Sequence, residues 1–413
     1  MSRQRVAPPD NPKIASRTFR ALALAAALPL LLLLPGCWNS MEIDKTAIVL
    51  GTGIDRSEKG YKVSVEILKP SAGGSASAGG GDSQGSQSLV LQREGRSLPS
   101  IAREMIRDAK RRLLLIHNRL WVVSDSLARE GILQPLDELE RDQMLRLNSF
   151  LLVTRDDPAE LLQTPTLYAD LASLEVISAL EEVRFTSNYT PVRLMDVFDK
   201  TSGPVQAFNL PILLIRRDLA QPTTYIDGTA LFKGGKMVGR LNAEETTGLL
   251  WLQNEVKGGT IDARVDGQWA SLELHGGKTE IKPRLEGERL EVEIAIQAQG
   301  TLAHADIDTN VSPKWLDRVE QRLSEQIRRQ VEQTLQKLQR EYQADVTPIG
   351  LKTYRQYPRE WHRVKDQWDQ IFSRAQVRVH VTCRIRHEGL IKQNHGQIYE
   401  KPQRLPFPWP GGI

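Results

Sequence analysis

The residue with the clearest chemical prospect is Cys37. It closes the run Leu34-Pro35-Gly36-Cys37, with a small residue directly before the cysteine and a leucine three positions ahead of it. That spacing is the bacterial lipobox pattern, in which the thiol accepts diacylglycerol and cleavage leaves the cysteine as the first residue of the mature chain. The preceding segment fits. Arg3, Arg5, Lys13, Arg17 and Arg20 stand against the single Asp10, and Ala21–Leu34 is an uncharged run of 14 residues. A basic stretch, a short apolar core and a small-residue cleavage site make an export signal. The run is shorter than the ~20 residues of a membrane-spanning helix, and Pro29 and Pro35 interrupt it further. Residues 1–36 are therefore expected to be removed, with an acyl lipid on Cys37 as the only attached group and no other cofactor.

The other chemically capable residues carry less. Cys383, the second of two cysteines, lies in Val377-Arg-Val-His-Val-Thr-Cys383-Arg-Ile385. The alternation is that of a half-buried strand with the cysteine on the apolar side, so it reads as a small core residue. With Cys37 acylated it has no disulfide partner, and no zinc-type spacing exists. Gly81-Asp-Ser83-Gln-Gly85 has the nucleophile-elbow pattern, but it sits in a Gly/Ser tract without the strand and helix that such a turn needs. Gly277-Lys278-Thr279 resembles the end of a phosphate loop, yet Leu272 stands where the first glycine belongs. The seven histidines form no His-Glu-x-x-His motif, and His380 and His387, seven apart along a strand, point to opposite faces. Glu244 and Glu245 are adjacent, so on a helix they diverge and suit a charged first turn better than an acid/base pair. No catalytic or metal site is expected.

Composition narrows the class. The chain has 55 basic and 51 acidic residues; the export signal takes five and one of them, leaving 50 of each. A neutral mature protein argues against nucleic acid as a partner. The roughly 377 residues left exceed what one core organises, which predicts two or three domains.

The elements follow from patterning. Thr46–Asp55 and Tyr61–Leu68 read as a strand pair. Residues 71–88, almost purely Gly, Ser, Ala, Asp and Gln, read as a flexible loop. Ser97–Arg112 is helical, and Leu113–Ser124 is a buried strand interrupted at His117-Asn118. Short helices over Ser126–Glu130 and Leu133–Arg141 precede a strand at Leu145–Thr154. Asp157 before Pro158 starts a helix, Thr166–Thr186 reads as a longer one, and Ala207–Arg216 is a strand. Tyr225–Phe232 and Lys236–Leu241 form a hairpin around Gly234-Gly235, followed by a helix capped by Asn242. Strands recur at Thr260–Val265, Trp269–Lys282 and Leu290–Leu302. Ser312-Pro313 opens a helix whose stripe from Leu316 to Tyr342 runs for roughly 30 residues. Trp361, Val364, Trp368 and Phe372 mark a second amphipathic helix. The expected fold is thus multi-domain α+β, with mixed sheets, packed helices and one long helix in the C-terminal half. It comprises an N-terminal α/β domain over 37–217, a C-terminal α+β domain over 223–400 open to division into two subdomains, and a Pro/Gly tail at 401–413.

Four segments, in order, resemble the Ger(x)C family, the C subunit of spore germinant receptors: Pro35–Ile43 with Ala47–Asp55; Gly95-Arg-Ser97 through His117-Asn118 and Gly131-Ile132; Phe232–Gly239 with Leu241–Thr246 and Gly248–Trp251; and Trp368–Phe372 with the strand and Gly389–Ile391 after it. The resemblance implies a non-enzymatic, lipid-anchored subunit on the outer face of the spore inner membrane. It would act with an A-type and a B-type integral-membrane subunit in nutrient-triggered germination. No catalytic residues come with the resemblance, so Cys37 is the functional residue carried over. The Asn242–Trp251 segment reads either as a docking surface or as a helix whose Leu249, Leu250 and Trp251 pack inward. Two other classes stand beside the receptor subunit: a lipid-anchored solute-binding protein, with two lobes around a cleft, and an envelope hydrolase.

Overall fold

The computed structural model describes residues 45–69, 88–141, 146–183, 187–306 and 312–387. Cys37, nearly all of the Gly/Ser stretch and the C-terminal tail lie outside them. In chain order the elements are β1 (Thr46–Ser57), β2 (Gly60–Leu68), β3 (Ser88–Gly95), α1 (Leu98–Ala109), β4 (Arg112–Leu114) and β5 (Leu120–Ser124). Next come α2 (Asp125–Glu130), α3 (Leu133–Glu140), β6 (Phe150–Thr154), α4 (Pro158–Gln163), α5 (Ala172–Glu181), α6 (Leu194–Thr201), β7 (Ala207–Arg216), β8 (Thr223–Lys233) and β9 (Lys236–Leu241). The rest is α7 (Ala243–Gln253), β10 (Thr260–Val265), β11 (Gln268–Glu286), β12 (Arg289–Ala305), α8 (Pro313–Gln336), a π turn (Lys337–Tyr342), α9 (Ile349–Gln356), α10 (Pro358–Val364), α11 (Trp368–Arg374) and β13 (Gln376–His387).

The first sheet has nine strands in the order β3-β2-β1-β5-β6-β7-β8-β9, with β4 also paired to β1. Its centre is parallel, β1 with β5, β5 with β6 and β6 with β7, and both flanks are antiparallel. The central strands are Leu-Trp-Val-Val-Ser and Phe-Leu-Leu-Val-Thr, buried at every position. That is the pattern of parallel strands covered on both faces. Trp121, Val123, Leu151 and Val153 join one core with Ile101, Met105 and Leu127 from the helices. Leu120, Val122, Phe150 and Leu152 join another with Leu161, Val176 and Leu180.

The second sheet, β10-β11-β12-β13, is covered on one face only. Away from the irregular stretch of β11 around Leu274–Gly277 its strands alternate: Ile281 and Leu285, and Val292, Ile294 and Ile296, are buried while their neighbours are not. Opposite them lies the stripe Trp315, Val319, Leu323, Ile327, Val331 and Leu335 of α8. β13 pairs parallel to β12 and is an edge. The long helix blunts that edge, since Ser324 Oγ accepts from the Cys383 N–H at 2.9 Å and Glu320 Oε1 from the Ile385 N–H at 2.8 Å.

The structure departs from the sequence expectation in places. The long helix is α-helical for 24 residues and closes in a six-residue π turn. Among the described residues of 166–186 the helical reading holds for α5 but not for 166–171, because the Glu175 carboxylate accepts from the N–H groups of Leu167 and Tyr168 and ties them into a loop. The strand expected from Leu145 begins at Phe150, after a turn in which Ser149 Oγ donates to the Arg146 carbonyl at 2.7 Å. The amphipathic segment around Trp361–Phe372 is α10, a 3-10 turn and α11. β3, α6 and α9 were not anticipated. Fold class stands as expected: α+β with two mixed assemblies and one long helix.

Candidate functional site

The segment Phe232–Trp251 sits where the two sheets meet. β8 and β9 close a hairpin through Gly234 and Gly235, both with positive φ, and add to the first sheet beyond β7. Side chains on the hairpin divide between cores by strand alternation. Ala230, Phe232 and Met237 enter the first-sheet core, where Phe232 stacks on Phe208 at 4.8 Å. Leu231 and Leu241 enter the second-sheet core.

α7 starts from a capping box: Asn242 Oδ1 accepts from the Glu245 N–H at 2.9 Å, and Glu245 Oε2 accepts from the Asn242 N–H at 3.0 Å. Leu249, Leu250, Trp251 and Leu252 are all buried in the second-sheet core. Of the two sequence readings of this segment, inward packing therefore describes its apolar residues. α7 and α8 cross closely at Gly248, where a β-carbon would lie 2.2 Å from Thr334 Oγ1 and 2.6 Å from the Gln330 carbonyl. Only glycine allows that approach. Thr334 Oγ1 uses the proximity, sitting 2.9 Å from the carbonyls of Glu245 and Gln330. At Gly239 the Tyr342 ring from the π turn fills the space that a side chain would take.

What remains exposed here is polar. An open groove of about 660 Å³ is lined by Glu245, Gln333, Gln336, Lys337, Arg340 and Glu341. Lys337 Nζ meets Glu245 Oε1 at 2.8 Å, and that hydrogen bond raises the lysine pKa above its usual value. Two cations, two carboxylates and two amides on a shallow surface can recognise a polar partner, but they present no nucleophile and base in contact.

Just after the π turn, Asp345 ties the second assembly together. The carboxylate is buried and accepts from the Thr347 N–H (3.1 Å) and hydroxyl (2.6 Å), the Gly350 N–H (2.8 Å) and Trp368 Nε1 (3.0 Å). Burial pushes its pKa up to about 6 while these four donors pull it back. Gln253 Nε2 bonds both Asn209 Oδ1 of β7 and the Val346 carbonyl at 2.8 Å, linking the first sheet to the loop before α9. In the first sheet, Glu66 is a second buried carboxylate, accepting from the Ala172 and Ser173 N–H groups at the start of α5. Burial raises its pKa. Neither carboxylate was singled out from sequence; the available signal for Asp345 was an Asp-x-Thr turn just before a helix.

The remaining sequence candidates fall apart in space. Cys383 is 1% exposed, and burial, with Glu320 nearby, pushes its thiol up to about 12, the profile of a packed residue. Thr279 of the failed phosphate-loop match lies in β11 and donates to the Trp251 carbonyl, closing the end of α7. His275 bonds Thr301 and His304 bonds Asp306 on exposed surface. Ser83 and Cys37 lie outside the described residues. Among the described residues, no three His, Cys, Asp or Glu side chains could hold a metal ion, and no helix is long and apolar enough to cross a membrane.

Comparison with known proteins covers both halves. Residues 39–215 match the family model for the spore germination protein N-terminal domain, and residues 227–389 match that for the spore germination B3/GerAC-like C-terminal domain. Over 397 residues the chain is 26% identical to spore germination protein YndF of Bacillus subtilis (strain 168), covering 90% of this chain and 97% of that one. It is 26% identical over 398 residues to spore germination protein KC of the same organism, covering 89% and 96%. Among solved structures, the GerBC protein matches with a TM-score of 0.54 and 23% identity over 81% of this chain and 96% of that one, a likeness of fold.

Proposed function

We propose, from the premise that this chain belongs to the Ger(x)C family of spore germination proteins, that it is the non-enzymatic, lipid-anchored subunit of a germinant receptor. The observation that carries the reading is the ordered match of both family models along nearly the whole mature chain. Export and lipid attachment at Cys37 place the folded part on the outer face of the spore inner membrane. There it acts with an A-type and a B-type integral-membrane subunit. A packed, polar junction without assembled catalytic groups suits a protein that works by contact.

The experiment is a pull-down of the tagged native protein from spore inner membrane, with mass spectrometry of its N-terminus. Two polytopic partners and a diacylglyceryl Cys37 are expected, and deletion should abolish the response to one nutrient. An unmodified Cys37 overturns the anchor. Absence of both partners, with tight nutrient binding by the isolated soluble part, would favour a solute-binding protein.

A further inference from the structure

Six exposed apolar side chains around the first sheet, Leu89, Ile116, Leu147, Leu167, Tyr168 and Met195, lie towards one end of it, the end at which β1 begins, while Leu219 lies in the β7–β8 turn at the other end. Registers establish this. Val49 of β1 pairs with Ile67, and Ile67 pairs with Leu89, so exposed Leu89 lies level with the start of β1. Gly51, Leu120 and Phe150 are aligned across the parallel strands. Exposed Ile116 and Leu147, each just before one of those strands, therefore project from the same end, and Met195 joins Leu147 through its N–H at 3.0 Å. α4 runs back along β1 to that end, because Pro158 packs on Gly53 and Leu162 on Gly51. The loop after α4 carries Leu167, 58% exposed, and Tyr168, 96% exposed. The loop is held firmly: Glu175 Oε2 accepts from both N–H groups, at 2.7 and 3.1 Å, and Thr166 Oγ1 donates to the Ala169 carbonyl.

The same end is basic. α1 leads into Lys110-Arg111-Arg112, and β4 must pair with the early part of β1 because β5 occupies Gly51–Ile54. Arg146 precedes β6. Of the carboxylates at this end, Glu181 is held by Arg119 at 2.7 Å and Asp196 accepts from the Arg193 N–H at 2.9 Å, while Asp170 follows Tyr168 in the loop itself. Seven residues lie between Cys37 and Lys45, so this tether of eight residue steps spans at most ~29 Å.

We infer that this end of the first sheet is a membrane-contact surface, with Leu167 and Tyr168 entering the interface of an anionic bilayer and the basic residues lying over its headgroups. An amphipathic tyrosine beside an aliphatic residue suits the headgroup boundary. Cations on the rim add attraction to anionic lipid. The inference rests on the lipid-anchor reading for its biological setting: the acyl chains hold the protein at the bilayer, and this second contact fixes which face of the folded part meets it.

The test uses the full mature chain with Cys37→Ser, so that no lipid contributes. Cys383 is buried and does not compete for a thiol label. An environment-sensitive fluorophore at Tyr168→Cys should shift to the blue and brighten with phosphatidylcholine vesicles containing phosphatidylglycerol. The same label at Trp269→Cys, exposed on the second sheet, should not respond. The double variant Leu167→Asp, Tyr168→Asp should partition at least ~10-fold more weakly, and the wild type should weaken as salt shortens the Debye length from ~10 to ~3 Å. No response at 168, an equal response at 269, or unchanged partitioning of the double variant overturns the inference. Loss of partner capture by the double variant without any vesicle binding assigns the loop to a protein contact and also overturns it. An unmodified Cys37 in the native protein would instead sink the anchor reading while leaving the vesicle result to stand.

Discussion

Replacing Asp345 by asparagine isolates the buried cluster that closes the second assembly. The carboxylate meets four donors, two at each oxygen. Asparagine keeps one acceptor oxygen, which serves two of them, and turns an NH₂ toward the other two. Each buried donor left unsatisfied costs ~1–3 kcal/mol, so the loss is ~2–6 kcal/mol, offset in part because no charge is buried any longer. A net destabilisation of ~2–4 kcal/mol is expected, read as a lower urea midpoint at unchanged slope. The pH dependence gives a second reading. Burial raises the Asp345 pKa from 3.8 to about 6, so between those values the folded chain keeps a proton that the unfolded chain has lost. Stability from this group is therefore full below the unfolded value and falls as pH rises to about 6, by ~3 kcal/mol. The asparagine variant lacks that slope, and the substitution costs more near pH 4 than near pH 7. A cost below ~1 kcal/mol, or one equal at both pH values, refutes the assignment of Asp345 as the buried acceptor hub of the cluster with a pKa raised by burial.

Gly248→Ala should wedge α7 away from α8 and cost ~1–3 kcal/mol, seen as a lower denaturation midpoint; a neutral effect would contradict the close crossing. Cys383, with its thiol pushed up to about 12, should react with a disulfide reagent at pH 8 only at the rate of unfolding; a fast native reaction would contradict its packing. Glu245→Ala removes one arm of the capping box and the Lys337 pairing, and should cost ~1 kcal/mol. Lys337→Ala should cost less, and in the double variant the two effects should fall short of their sum.

Much of the fold was legible because local rules and tertiary context agreed. Hairpin residues Gly234-Gly235, the Asn242 cap and the strands β7 and β10 lie where patterning put them. β3 escaped because Leu89 and Val90 give way to Gln92, Arg93 and Glu94 on an edge strand, where half-exposure erases the alternation. The break within 166–186 escaped because its cause is the Glu175 carboxylate accepting from backbone N–H groups seven and eight residues earlier, which residue propensities do not reveal. Asp345 and Glu66 escaped for a related reason: a lone acid in sequence gives no sign of the four donors, or the helix start, that folding brings to it. The apolar rim was equally invisible, since sheet register brings Leu89, Ile116 and Leu147 to one end, and only the packing of α4 and a backbone bond to Leu147 bring Leu167 and Met195 there.

The way the two sheets share the β8–β9 hairpin limits how the chain can be divided. β7 pairs with β8 at nine positions from Ala207 to Arg216. A fragment ending at residue 217 keeps β7 but strips it of that partner, uncovering an edge that carries Phe208, Leu210, Ile212 and Leu214. It also loses Ala230, Phe232 and Met237 from the first core. A long apolar edge of this kind pairs with other chains, so a 38–217 fragment should associate, as light scattering would show. Extending it to residue 242 restores the hairpin but exposes Leu231 and Leu241, which belong to the second core. Neither cut leaves both faces of β8 covered, because alternate residues of one strand serve different cores. The mature chain should therefore unfold in a single transition, with tryptophan fluorescence and far-ultraviolet dichroism coinciding. A monomeric 38–217 fragment with dispersed amide resonances, or two resolved transitions, would show that the hairpin does not bind the two sheets into one cooperative unit.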